Sequence, residues 1–168
     1  MTNTNYKTIA SKIKFEGRAF INGKYVDAID GKKFETINPA TGETLCSVAK
    51  CNSKDVDLAV KVSRKAFNSG VWSRTSPEFR KDILLKFAEL LRVHGVENSV
   101  LECIDTGKLI GDCINEVAND APMHFQWYGE LIDKVFGKVG PTEPSLTSLI
   151  VKEPIGVVAG VVPWNFPL

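Results

Sequence analysis

Six consecutive residues without a polar side chain, Val157-Val158-Ala159-Gly160-Val161-Val162, run straight into Pro163-Trp164-Asn165-Phe166-Pro167. A strand apolar on both faces predicts a place inside a parallel sheet covered by helices, because a sheet with one wet face alternates apolar and polar residues. Parallel neighbours require crossover connections, usually helical. Only residues 163–168 follow the run in the 168-residue chain, so no crossover follows it. The expectation is an α/β chain carrying one strand of a sheet that it does not complete.

The upstream pattern is consistent with that class. Phe20-Ile21-Asn22-Gly23-Lys24-Tyr25-Val26 sets Asn-Gly between two β-prone runs and predicts a hairpin. Lys33–Ile37 alternates, breaks at Asn38-Pro39-Ala40-Thr41-Gly42-Glu43, and returns as Thr44–Val48. From Ser53, read as an N-cap, the period changes to helical. Val56, Leu58, Ala59, Val62, Ala66 and Phe67 form a stripe that Gly70 ends. Ser76-Pro77-Glu78 opens a second helix, with Pro at the position where a missing N–H costs nothing. A short helix is expected over Val96–Ile104, closed by Gly107, and a long one from about Asp112 to Phe136. Gly137, Gly140, Pro141 and Pro144 read as linker chemistry, and Ser148–Lys152 as strand.

Composition excludes several classes. Hydrophobic residues make up 43% and charged residues 24%, which is ordinary globular usage. Lys plus Arg number 21 against 20 Asp plus Glu, a balance that predicts neither nucleic acid nor an anionic membrane as partner. No secretory pattern opens the chain, and its longest weakly polar stretch, Pro154–Leu168, falls short of the roughly 18 residues of a spanning helix. Cys46, Cys51, Cys103 and Cys113 form no C-x-x-C pair, and only His94 and His124 are available beside them. They read as reduced thiols of a cytoplasmic protein, each a small hydrophobe rather than a nucleophile. Phosphate-loop, dinucleotide, hydrolase-elbow and zinc-protease motifs are absent. His94 reads as a cation at a helix end, and His124 as structural.

Glu153-Pro154-Ile155-Gly156-Val157-Val158-Ala159-Gly160-Val161-Val162-Pro163-Trp164-Asn165-Phe166-Pro167 resembles the E-P-x-G-V-x-x-x-I-x-P-W-N-F-P segment of the NAD(P)-dependent aldehyde dehydrogenase superfamily. Phe20-Ile21-Asn22-Gly23 resembles the family's opening hairpin, Asn38–Glu43 its N-P-A-T-G-E turn, and Asp105-Thr106-Gly107-Lys108 its D-T-G-K loop. Trp127-Tyr128 falls where the family often has an aromatic pair. The likeness runs from about residue 19 to residue 168. It implies an aldehyde dehydrogenase-type α/β fold, truncated: N-terminal hairpins and helices plus the first strand of a Rossmann-like cofactor sheet. The implied divisions are a tail over 1–18, the N-terminal part of an NAD(P)-binding domain over 19–138, an oligomerisation arm over 139–153, and the buried strand with its P-W-N-F-P loop over 154–168.

The resemblance also implies chemistry. In the family a cysteine thiolate attacks an aldehyde, hydride passes to the nicotinamide of NAD or NADP, and water hydrolyses the thioester to a carboxylic acid. Asn165 matches the amide that donates to the developing oxyanion, and Val162, Pro163, Trp164 and Asn165 match the lining of the dinucleotide cleft. Trp164 as a core anchor is the competing reading. Thr36, Ile37 and Asp105 match positions that hold a monovalent cation in some relatives, against a reading in which Asp105 caps the loop after it. The strand around Leu146–Lys152 matches the arm through which family subunits form dimers or tetramers. Leu109 stands where the family's loop usually has Pro, which relaxes a turn. None of the four cysteines matches the nucleophile, and the general-base Glu finds no match either. The 168 residues alone are therefore expected to be inactive, as the first third of a family subunit. The alternative is a short product acting as a non-catalytic interaction module. Trp127–Val139 is most similar to members that oxidise ω-amino aldehydes such as γ-glutamyl-aminobutyraldehyde.

Overall fold

The Asn22-Gly23 pair turns the chain in the manner its residues favour. Asn22 has φ 56° and Gly23 φ 73°, both in the left-handed region that a type I′ hairpin turn needs. Strands β1 (Ala19–Ile21) and β2 (Lys24–Val26) pair antiparallel across it, with Phe20 edge-on to Tyr25. In this computed structural model, which describes residues 5–168, β3 (Lys33–Ile37) and β4 (Thr44–Ala49) form a second antiparallel pair with a bulge at Thr36/Ile37. The connecting turn is closed by Asn38, whose side-chain oxygen accepts from the Ala40 N–H at 2.9 Å. Its backbone carbonyl accepts from the Gly42 N–H at 2.8 Å. Part of the expected N-terminal tail is ordered as α1 (Tyr6–Ala10), where Asn5 accepts from the Thr8 N–H. Residues 1–4 of that tail lie outside the described residues.

Helix α2 (Ser53–Ser69) starts one residue earlier in its capping than the sequence suggests. Asn52, not Ser53, is the N-cap, and it forms a reciprocal box with Asp55. Asp55 also accepts from the Ile29 N–H at 2.8 Å, so one buried carboxylate ties the helix start to the loop before β3. The apolar stripe of α2 exists but is only partly covered: Ala59, Val62 and Phe67 are half-buried, while Val56, Leu58 and Ala66 stay exposed.

Ser76 caps α3 (Pro77–Val93) as its sequence predicts, and α4 (Gly95–Thr106) extends slightly beyond the expected limits. His94, between them, makes no side-chain capping bond. It is the C-cap residue of α3, the helix-end position its sequence predicts, and its Nδ1 lies 3.7 Å from Glu97. The long final helix is continuous but not uniform. It runs as α5 (Ile110–Cys113), a π-helical stretch Ile114–Asp120, α6 (Ala121–Leu131) and a 3₁₀ turn Ile132–Lys134. Pro122 explains the change of register. A proline has no N–H for the carbonyl four residues earlier and its ring clashes there, and widening the preceding turn removes both problems. The Ala121 N–H accordingly donates to the Glu116 carbonyl, five residues back. His124 Nδ1 sits 2.8 Å from the Asp120 carbonyl, the structural role expected of it.

Helices α3 and α6 pack along each other around Ala88 and Leu91, with Phe87 edge-to-face on Phe125 at 4.7 Å. Val100, Cys113, Val117 and Ala121 continue the core toward α4. Gly95 lets α4 approach closely, since a Cβ there would lie 2.8 Å from the Ala118 methyl. At the far end, hydrogen bonds from Lys134 and then Lys81 hold the Asp133 carboxyl down at about 2. A folded-state pKa below the unfolded value of about 3.9 stabilises above that pH and loses its effect as pH falls toward 2. Asp133→Asn and the native chain should therefore differ in urea midpoint at pH 6 and converge near pH 2. The difference should shrink in high salt, because these groups are solvent-exposed.

Residues expected as linker contribute a strand. β5 (Lys138–Gly140) pairs antiparallel with β6 (Ser148–Ile150), and Thr142 Oγ1 donates to the Leu146 carbonyl inside the loop. The buried strand expected over Val157–Val162 is not formed: these residues have no ladder, and Val158, Val161 and Val162 are exposed. The reason is hydrogen bonding. A strand exists only beside another, and among the described residues every paired strand is antiparallel and lies elsewhere. The accessible surface is 12706 Å², against about 8,200 Å² for a folded monomer of this mass by the general size scaling. Much apolar surface is thus left uncovered by these residues.

Candidate functional site

Helix α4 ends at Gly107, which has φ 78° and donates its N–H to the Cys103 carbonyl. A Cβ at Gly107 would also lie 2.8 Å from Pro39, so the left-handed conformation and the close approach both favour glycine there. The result is that the loop Asp105–Lys108 folds against the Asn38–Glu43 turn. Thr36 Oγ1 donates to Asp105 Oδ1 at 2.8 Å across the same contact.

The next residue carries the connection onward. Lys108 is four-fifths buried at its side chain, and its ammonium has three N–H donors. They go to Glu102 Oε1 at 3.1 Å, to Glu116 Oε2, and to the backbone carbonyl of Asn165 at 3.1 Å. The same nitrogen lies 4.5 Å from the centre of the Phe166 ring, a cation–π distance. The Lys108 backbone is held as well: its N–H donates to Thr106 Oγ1, and its carbonyl accepts from Cys103 Sγ. Helix α4, the π-helical stretch and the remote turn at Asn165 therefore meet at one ammonium.

Asn165 stands in a tight turn closed by the Phe166 N–H donating to the Pro163 carbonyl at 3.3 Å. It is half-buried, and among the described residues its carboxamide makes no hydrogen bond. Val162 and Trp164 are exposed, at 66% and 83%, so Trp164 does not anchor the core of these residues. Of the three residues matched to a cation site, Thr36 and Asp105 meet directly while the Ile37 side chain is exposed. The loop after α4 is capped by Thr106 rather than by Asp105, which corrects the capping reading of Asp105.

Three of the four thiols are shifted away from the thiolate form. Burial, and then neighbouring negative charge, pushes the Cys113 thiol up to about 11, and Cys46 and Cys51 are pushed up in the same direction. A nucleophilic cysteine needs the opposite shift. With an aromatic disulfide reagent at pH 8, exposed Cys51 should react first and Cys113 only on unfolding. Rapid modification of Cys113 in the folded chain would contradict this placement.

Sequence reading missed Glu102 and Glu116. Glu102 carries a usable signal: a carboxylate on the face of α4 that otherwise buries Ser99 and Val100 requires a cation nearby. Glu116 has no comparable signal, because the π-helical register decides which way it faces.

Comparison with known proteins agrees with the geometry. Residues 25–168 match the aldehyde dehydrogenase family. The aminoacetaldehyde dehydrogenase of Pseudomonas aeruginosa is 42% identical over 168 residues, covering 100% of this chain and 34% of the relative. The solved indole-3-acetaldehyde dehydrogenase of P. syringae, a mutant in complex with NAD+ and IAA, superposes with TM-score 0.94 at 42% identity, covering 97% of this chain and 33% of that one. The γ-glutamyl-γ-aminobutyraldehyde dehydrogenase of Burkholderia cenocepacia gives TM-score 0.93 at 44% identity, covering 96% and 33%. This chain thus spans about a third of the length of the proteins it matches. It belongs to the aldehyde dehydrogenase family.

Proposed function

We propose that these residues supply the oxyanion-binding amide and part of the cofactor cleft for NAD(P)-dependent oxidation of an aldehyde to a carboxylic acid. The observation that carries the reading is Asn165: a neutral amide, half-buried, on a turn fixed at its own carbonyl, with no competing hydrogen bond among the described residues. An amide donor held in place stabilises negative charge that appears only in the transition state and cannot take up a proton there. The residues fit a dinucleotide through exposed apolar side chains and backbone at Val162, Pro163 and Trp164, beside that amide. When bound, the nicotinamide supplies the hydride acceptor. The chain's own part is to line one side of the cleft and to hold the Asn165 N–H donors toward the reacting carbonyl oxygen.

In this reading the 168 residues do not turn over aldehyde alone. The raised thiols of Cys46, Cys51 and Cys113 support that view. The exposed β5–β6 hairpin, with Val139, Leu149 and Ile150 outward, supports the arm assignment and a homo-oligomer. Four unpaired thiols support a reducing compartment such as the cytoplasm. Thr36 with Asp105 would offer two oxygen ligands to a monovalent cation. An ω-amino aldehyde is the favoured substrate, since two of the three compared relatives are named for amino-substituted aldehydes.

The test is a graft. The chain replaces the matching third of the P. aeruginosa relative, and NADH formation is followed with aminoacetaldehyde and indole-3-acetaldehyde. The graft should oxidise aminoacetaldehyde while the isolated chain gives none. Turnover by the isolated chain, or a graft that folds and binds NAD+ but is inert, would refute the reading. A stable 168-residue product that binds a second protein and never supports oxidation would favour the interaction-module alternative.

A further inference from the structure

We propose that Lys108 is the positioning residue of the Asn165 carboxamide, a role that rests on the reading of Asn165 as the oxyanion donor. The turn Pro163–Phe166 has one internal hydrogen bond and exposed flanks, so little within residues 163–168 fixes its direction. What fixes it comes from outside. The Lys108 ammonium accepts no hydrogen bond and donates three, and the third reaches the Asn165 carbonyl, on the residue that carries the amide. The Phe166 ring lies over the same nitrogen, so two adjacent residues are held by one point charge.

That charge is itself held. Glu102 is buried at its side chain and Glu116 mostly so, and their two carboxylates restrict the flexible lysine to one place. Glu102 lies on α4 and Glu116 on the π-helical stretch, two elements packed through the Gly95–Ala118 contact. The helical core therefore sets the position of the Asn165 backbone through Lys108. The two carboxylates and one ammonium leave the cluster with a net negative charge, so it does not attract the oxyanion directly. Its effect passes through the backbone.

The experiment uses the full 168-residue chain and needs no turnover, so its failure is separate from failure of the Asn165 kinetics. In the native chain, NMR should show nuclear Overhauser contacts from the Lys108 Hε protons to the Phe166 ring, and those protons shifted upfield by the ring current. Backbone order parameters at Asn165 and Phe166 should be about 0.8, near the rigid value. Lys108→Met alone strands a buried carboxylate, so the informative variant is Lys108→Met with Glu102→Gln and Glu116→Gln, which removes both signs of charge together. In it the two order parameters should fall below about 0.6 while the helical circular dichroism stays native. Lys108→Arg, which keeps the charge and the donors, should restore them. Order at Asn165 and Phe166 unchanged in the triple variant overturns the proposal. So does absence of the Lys108–Phe166 contacts in the native chain, a result available even where a variant fails to fold.

Discussion

Asn165→Ala in the grafted enzyme should lower kcat by about 10²- to 10³-fold, with the aldehyde KM changed by less than about threefold. In the proposed role, the split follows from when the amide would act. An aldehyde carbonyl carries little charge in the ground state, so a hydrogen bond to it adds little to binding. The charge develops on attack, and a donor already in place then needs no reorganisation. The Asn165 turn is tied at its own carbonyl to Lys108, which supplies that pre-organisation. Asn165→Asp should be at least as damaging, because a carboxylate presents acceptors where a donor is needed. A graft in which Asn165→Ala keeps kcat within about threefold, or raises KM in proportion, would remove Asn165 from the oxyanion role.

Asp55→Ala should destabilise the folded chain by about 3 kcal/mol, read from urea unfolding at neutral pH. One buried carboxylate, 3% exposed as a residue, accepts from the Asn52 N–H at 2.8 Å and from the Ile29 N–H at 2.8 Å. Alanine leaves both donors without that partner and opens the capping box of α2. Each stranded donor costs about 1–3 kcal/mol, less where water reaches it. Asp55→Asn keeps one acceptor oxygen and should lose about half as much. A native-like urea midpoint for Asp55→Ala would mean that water satisfies both amides. The α2 start would then not depend on the loop before β3.

Much of this was written in local sequence. Asn22-Gly23 specified its turn because left-handed φ at two successive residues is inexpensive for that pair. Ser76-Pro77 specified a helix start, and Gly70 and Gly107 specified helix ends, for similarly local reasons. The cap of α2 was misplaced by one residue, because Asn52 and Ser53 are both good caps and only the Asp55 carboxylate chooses between them. The π-helical stretch was not read, although Pro122 is its cause, since the sequence shows that register must change there but not by how much.

The P-W-N-F-P segment and its family were determined by the sequence, because a motif of that length tolerates few other readings. Its strand was not. Val157–Val162 has the composition of a buried strand and is exposed from Val158 onward, since strand structure requires hydrogen bonds from a neighbour that no residue in the run can provide. The meetings of Thr36 with Asp105 and of Lys108 with Asn165 were likewise decided only by tertiary structure. An ammonium can join groups 57 residues apart only after helix packing has placed two carboxylates to hold it, and no local pattern encodes that distance.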